Sequence, residues 1–64
     1  MKKLFYGYSN GKYSIHTNFI SNKTIKRESN GADRVSIYKC NEIDLEQMLN
    51  GVLSGKYITT LAIN

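Results

Sequence analysis

Basic and aromatic side chains are concentrated in the first half of the chain. The first 27 residues carry six basic and no acidic side chains, whereas the remaining residues carry three basic and five acidic ones, for a net charge of +4. Cations neutralise phosphates, and aromatic rings stack on unpaired bases. We therefore expect non-covalent binding of a polyanionic partner, a nucleic acid or a nucleoprotein. The predicted contacts are Lys12, Lys23, Lys26 and Arg27, with Tyr6, Tyr8 and His16 as stacking or hydrogen-bonding groups.

The same residues allow a second interpretation. Tyr13 and Phe19 alternate with Lys12 and His16, so the aromatic side chains of that segment point away from its cations. Tyrosine and phenylalanine are also common in strands for packing reasons alone. The alternative hypothesis is a protein-directed inhibitor or regulator that uses an exposed strand edge and its positive charge to dock on an acidic protein surface.

The sequence contains no convincing catalytic or metal-binding pattern. His16 and Cys40 are the only histidine and cysteine, so they are the one candidate nucleophile and base pair, and they cannot supply the four ligands of a closed zinc site. The phosphate-binding patterns GxxxxGK[ST] and GxGxxG do not occur. We therefore predict no enzyme activity, no cofactor and no metal.

The elements that position the basic residues are predicted from hydrophobic periodicity. Alternation with a period of two, interrupted by Ser9-Asn10-Gly11 and Ser29-Asn30-Gly31, indicates strands joined by tight turns. The segment at 24–28 contains Ile25 as its only large apolar residue, so it is predicted to be a polar edge strand. The predicted order ββββαβ comprises strands at 4–8, 12–19, 24–28 and 34–40, a helix from Asp44, and a well-covered strand at 57–63.

One amphipathic helix carries the clearest local signal. Asp44 can cap its first turn with Gln47, Ile43 can pack on Met48, and Gly51 or Gly55 can end it. The fold class is therefore α+β: a small antiparallel sheet with this helix on one face and partner binding on the other. The helix stripe comprises Leu45, Met48, Leu49, Val52 and Leu53. The sheet face expected to meet it comprises Tyr13, Ile15, Phe19, Val35, Ile37, Leu61 and Ile63.

The length of 64 residues indicates a single domain near the lower limit for independent folding. One cysteine excludes an internal disulfide, so a homodimer and a stable monomer are both compatible with the composition. No apolar signal segment or stretch long enough to span a bilayer is present, and we predict a cytoplasmic protein without a membrane partner. The abundance of residues with AT-rich codons would suit a phage or mobile-element origin.

Overall fold

The computed structural model describes residues 2–52 and 54–63. It is an α+β protein, as predicted, but the order is ββαβαβ with two helices, and the predicted order ββββαβ with one helix is wrong. The elements in chain order are β1 (Lys3–Tyr8), β2 (Tyr13–His16), α1 (Asn22–Ser29), β3 (Arg34–Cys40), α2 (Glu42–Leu49) and β4 (Lys56–Ala62).

The four strands form one antiparallel sheet in the order β2-β1-β3-β4. The predicted hairpin between β1 and β2 is confirmed, with Gly11 at a positive φ of 87° in its turn. The strand β2 ends at His16, three residues before the predicted end, and the chain then crosses the end of the sheet to reach α1. The strands β1 and β3 therefore lie in the centre of the sheet, and β2 and β4 form its two edges.

Helix α1 replaces the predicted edge strand at 24–28. Its N-cap is Ser21, whose Oγ accepts a hydrogen bond from the backbone N–H of Thr24 at 3.2 Å. Ile25 and Ser29, four residues apart, are the buried positions of the helix, and Ser29 Oγ donates to the Lys26 carbonyl. Asn30 in the left-handed region, at φ 53°, ends the helix. A single large apolar residue gave too weak a helical period to be recognised.

The second helix begins earlier than predicted. Its N-cap is Asn41, whose Oδ1 accepts from the Asp44 N–H at 2.9 Å, so Asp44 lies in the first turn and is not the cap. The helix ends at Leu49 and is followed by Gly51 at φ 87°. Val52, expected on the helix stripe, lies outside the helix and is exposed. Leu53, also expected on the stripe, falls outside the described residues.

Each face of the sheet is covered by a different helix, and this divides the core in two. Alternate residues of β1 and β3 point to opposite faces, because side chains alternate along a strand. The predicted single core is therefore wrong, and Tyr13 and Phe19 are exposed. The core on the α1 side comprises Leu4, Tyr6, Tyr8, Ile25, Ala32, Val35 and Ile37. The core on the α2 side comprises Phe5, Cys40 and Met48, with Ile15, Tyr38 and Leu45 partly buried against it.

The last strand differs most from its predicted environment. The sequence at 57–63 is rich in β-branched and aromatic residues, which favoured a covered position, yet β4 is an edge strand whose residues are mostly exposed. An irregularity in its pairing with β3 leaves Ile58 without a direct partner between Tyr57 and Thr59.

No helix among the described residues is long and apolar enough to cross a membrane.

Candidate anion-binding site

The antiparallel sheet brings four lysines to one of its ends. The start of β1, the end of β3 and the start of β4 lie together, because neighbouring strands run in opposite directions. The end of β2 and the segment after it lie at this same end. A pocket of about 400 Å³ is found here, and we call it the lysine pocket. Its lining residues are Lys2, Lys3, Leu4, Thr17, Asn18, Phe19, Lys39, Lys56 and Ile58.

The charge of the lysine pocket is not neutralised by its surroundings. Among the residues that the structure describes, no acidic side chain lines it. Lys39 of β3 and Lys56 of β4 lie directly opposite each other in the antiparallel register. Like charges at such a cross-strand position repel each other and destabilise the sheet. Within residues 2–52 and 54–63, no carboxylate forms an ion pair with Lys39 or Lys56. A bound anion would relieve this repulsion.

The segment after β2 adds polar and aromatic groups to the pocket. Thr17 and Asn18 line it and are exposed, so their side chains are available as hydrogen-bonding groups. Phe19 also lines it and is 66% exposed, so its ring is accessible to a partner. An exposed aromatic ring beside several cations is the combination that holds a base and its phosphate.

Helix α1 carries a second group of cations. Lys23, Lys26 and Arg27 fall at positions i, i+3 and i+4, so they share one side of the helix, and all three are exposed. We call them the α1 stripe. Ile25 points to the opposite side, into the core. The predicted cations of this segment are thus brought together by a helix rather than by a strand.

The two helices differ in charge. Helix α2 contains three acidic residues, Glu42, Asp44 and Glu46, and no basic residue. It lies on the sheet face opposite α1, where it packs on Phe5 and Cys40. Helix α1 therefore has a net positive charge and helix α2 a net negative charge.

The predicted aromatic contacts are placed in the core. Tyr6 is completely buried and its hydroxyl accepts a hydrogen bond from the Ile20 N–H at 3.1 Å. Tyr8 is 5% exposed and shares a hydrogen bond with Ser14 at 2.7 Å, and burial raises the pKa of its hydroxyl. A buried ring cannot stack on a base, so the role expected of these two side chains does not fit their positions. Lys12 lies at the start of β2, at the end of the sheet away from the lysine pocket.

His16 is held against helix α1 by Glu28. Its Nε2 lies 2.8 Å from Glu28 Oε1, and its ring packs edge-to-face on Tyr6 with 5.4 Å between ring centroids. The hydrogen bond with His16 lowers the pKa of the Glu28 carboxyl, and Ser14 and the positive charge of Arg27 lower it further. The imidazole, predicted as a stacking or hydrogen-bonding group, therefore joins β2 to α1 through Nε2.

The pair between His16 and Glu28 predicts a loss of stability in acid. A carboxyl whose pKa is lowered by folding stabilises the native state above its unfolded pKa, and this contribution disappears as the pH falls through the folded value. We expect Glu28→Gln to lower the unfolding free energy near neutral pH by less than about 1 kcal/mol, and this loss should disappear as the pH falls from neutral through the lowered pKa of Glu28. Thermal melts across this pH range provide the measurement. Glu46→Gln, on an exposed position of α2, is the control, and parallel curves for wild type and Glu28→Gln would contradict the assignment.

The candidate nucleophile Cys40 and the candidate base His16 do not lie together in the structure. Cys40 is buried beside Met48, and burial raises the pKa of its thiol, which disfavours the reactive thiolate. His16 lies on the α1 side of the sheet, whereas Cys40 belongs to the α2 side. In the described part of the chain, no group of three or more histidine, cysteine, aspartate or glutamate side chains could hold a metal ion. The arrangement of the lysine pocket suits electrostatic binding of an anion.

Sequence reasoning missed most of the lysine pocket. Lys2 and Lys3 belong to the acid-free segment but were not among the predicted contacts, and Lys39 and Lys56 lie in the part of the chain with a negative net charge. The available signal was their position at the ends of predicted strands. It becomes informative only when the strand order is known.

Comparison of the chain with protein-family models, with curated proteins and with solved structures finds no match.

Proposed function

We propose that the protein is a non-catalytic binding protein whose partner is a single-stranded nucleic acid, held at the lysine pocket. The observation that carries this proposal is the cross-strand pair of Lys39 and Lys56, which has no carboxylate partner among the described residues. Folded proteins keep such locally unfavourable arrangements mainly where function requires them. A phosphate placed between the two ammonium groups would convert repulsion into attraction.

The neighbouring residues favour a nucleic acid over a simple inorganic anion. Phe19 offers an exposed ring within the pocket lining, while Lys2 and Lys3 extend the positive charge along the same end of the sheet. Base stacking on an aromatic side chain contributes about 1–3 kcal/mol and requires an unpaired base. This requirement favours a single strand over a duplex, whose bases are already stacked.

The α1 stripe supports the same class of partner. Leu4 belongs to the core beneath α1, and Lys39 lies directly opposite Leu4 in the register, so Lys39 and α1 are on the same face of the sheet. A flexible polyanion bound in the pocket could therefore reach Lys23, Lys26 and Arg27 without crossing to the side of the acidic helix α2. These three residues thus remain proposed contacts, secondary to the pocket.

Fluorescence anisotropy of labelled oligonucleotides provides the test. We expect binding of single-stranded DNA or RNA with a log affinity that falls linearly with log salt, at a slope of about 0.7 for each phosphate neutralised. Four pocket lysines give an upper slope of roughly 3 from the pocket alone. An oligonucleotide of the same length that lacks bases keeps the phosphates but not the stacking, so it should bind more weakly at equal salt.

Two results would contradict this proposal. Absence of binding to every oligonucleotide at low salt would exclude a nucleic-acid partner for the isolated protein. A partner that is captured equally well after nuclease treatment would instead favour the alternative function, docking on an acidic protein surface. Equal affinity for the normal and the base-free oligonucleotide would retain polyanion binding but remove the role of Phe19.

A further inference from the structure

The two edges of the sheet are not equivalent. The edge strand β2 has four residues and is partly buried, whereas the edge strand β4 has seven residues and is largely exposed on both faces. Tyr57, Ile58 and Leu61 of β4 are between 37% and 56% exposed. An exposed edge with apolar side chains can pair with another strand, because its outward backbone N–H and C=O groups have no partner in the sheet.

The protection of this edge is confined to its first half. Lys56 and the irregular pairing around Ile58 lie at the start of β4, and a charge and a bulge are both features that discourage strand addition. The segment 59–62 pairs regularly with β3 and contains no charged residue and no proline. The second half of β4 is therefore open to pairing.

The hydrogen bond of the adjacent residue Ile63 shows which backbone N–H and C=O groups of this segment face outward from the sheet. The N–H of Ile63 donates to the Asp33 carbonyl across the ladder at 2.8 Å, so the backbone groups of residue 63 face β3. Direction alternates from residue to residue in an antiparallel ladder. The N–H and C=O groups of Thr60 and Ala62 consequently face away from the sheet.

We propose that a second copy of this chain pairs antiparallel with β4, about a twofold axis near Thr60, to form a dimer with one continuous eight-stranded sheet. Thr60 would then exchange both backbone hydrogen bonds with Thr60 of the second copy, and Leu61 would lie opposite Thr59 of the second copy. The paired segments are neutral and complementary to themselves, as a twofold interface requires.

Charge also favours an antiparallel second copy. Lys56 is the only charged residue of β4. With the axis at Thr60, the two Lys56 residues are separated by eight residue steps, or about 27 Å at roughly 3.4 Å per residue. This distance exceeds the Debye length of about 10 Å at moderate salt, so their repulsion is screened. A parallel arrangement in register would instead place the lysines side by side.

The size of the chain gives an independent reason for a second copy. A domain of 64 residues has a small core, and chains of this size often depend on a disulfide, a metal or a subunit contact. The single cysteine excludes an internal disulfide, and the described residues offer no metal cluster. A twofold contact uses both β4 edges, so it closes at the dimer and does not propagate into a fibre.

The dimer does not depend on the proposed nucleic-acid binding, but it affects the geometry of the lysine pocket. Lys56 and Ile58 line the pocket and immediately precede the paired segment. A twofold axis perpendicular to the sheet keeps both pockets on one face, at opposite ends. A single-stranded nucleic acid of sufficient length could then bind both lysine pockets.

Sedimentation equilibrium of the wild type over a wide concentration range provides the test. We expect a shift from the monomer mass to twice that mass as concentration rises, because an interface confined to one strand pair is smaller than the roughly 1,600 Å² of a standard complex and associates weakly. Leu61→Lys should raise the dissociation constant by roughly tenfold or more, since the twofold axis introduces each change twice. Val52→Lys is the matched control, because Val52 is 55% exposed and lies outside β4, and it should leave association unchanged.

A second measurement covers the case in which Leu61→Lys does not fold. Hydrogen exchange of the wild type should show that the Thr60 and Ala62 amides become more protected at high concentration, while the β2 amides do not change. A monomer mass at every concentration, or a dimer that Leu61→Lys leaves intact in a folded protein, would overturn the proposal. Protection that appears in β2 and not in β4 would also overturn it.

Discussion

Replacing Ile37 with alanine is expected to remove a large part of the folding stability of this protein. Ile37 lies in the middle of the central strand β3, is 2% exposed, and pairs with Tyr6 and Thr59 on its two sides. Removing such a side chain typically costs 2–5 kcal/mol, from lost burial and from the cavity that remains. At 0.05–0.15 kcal/mol per residue, a chain of this length has a total stability of about 3–10 kcal/mol. Urea unfolding followed by circular dichroism would measure the loss.

The matched control for this change is Ile43→Ala. Ile43 is the same residue type but is 72% exposed on α2, so its removal should alter the unfolding free energy by no more than about 0.5 kcal/mol. If Ile37→Ala leaves no folded protein, Ile37→Val should still show a loss of about 0.5–1.5 kcal/mol. Similar midpoints for the two alanine variants would mean that the core is not centred on β3.

Replacing Lys39 and Lys56 together with glutamine should weaken nucleic-acid binding and leave the fold intact. Loss of two phosphate contacts lowers the salt slope by about 1.4 and, at low salt, the affinity by roughly 10–100-fold. The same change removes a cross-strand pair of like charges, so the thermal midpoint should stay constant or rise. Anisotropy titrations and thermal melts on one preparation would test both parts. A gain of stability with loss of affinity is the combination that identifies a binding site rather than a structural contact.

Two further variants locate the binding surface. Lys12→Gln removes a cation at the opposite end of the sheet and should leave the salt slope for a short oligonucleotide unchanged. The triple change of Lys23, Lys26 and Arg27 to serine tests the α1 stripe, whose contribution we expect to be smaller than that of the pocket. A larger effect of the triple variant than of the lysine-pair variant would move the primary site to α1.

Much of the sheet could be predicted from local sequence, because a hairpin needs only alternation and a suitable turn. The β1 and β2 hairpin and the strand β3 follow from such signals. Helix α1 could not be predicted in this way, since its buried side consists of Ile25 and the polar Ser29. Its stability comes from tertiary contacts that the local pattern does not contain, including the hydrogen bond from Asn10 Nδ2 to the Ser29 carbonyl at 2.8 Å.

The candidate site was less predictable than the fold. Positive charge in the first 27 residues was visible in the sequence, but the lysine pocket combines that segment with β3 and β4. Lys39 and Lys56 become neighbours only through the β3 and β4 register. The burial of Tyr6 and Tyr8 could not be predicted for the converse reason. Alternation cannot tell which strands become central, and both residues belong to a central strand.

The opposite charges of α1 and α2 have a consequence for how a partner approaches. A molecule with a basic helix on one side of its sheet and an acidic helix on the other has an electric dipole across the sheet. In the field of the proposed nucleic-acid partner, this dipole would orient the protein before contact, so that most encounters would present the α1 side. The proposed twofold axis would be perpendicular to the sheet, and the dipoles of the two copies would add. The dimer would then approach the nucleic acid already oriented, with both lysine pockets facing it.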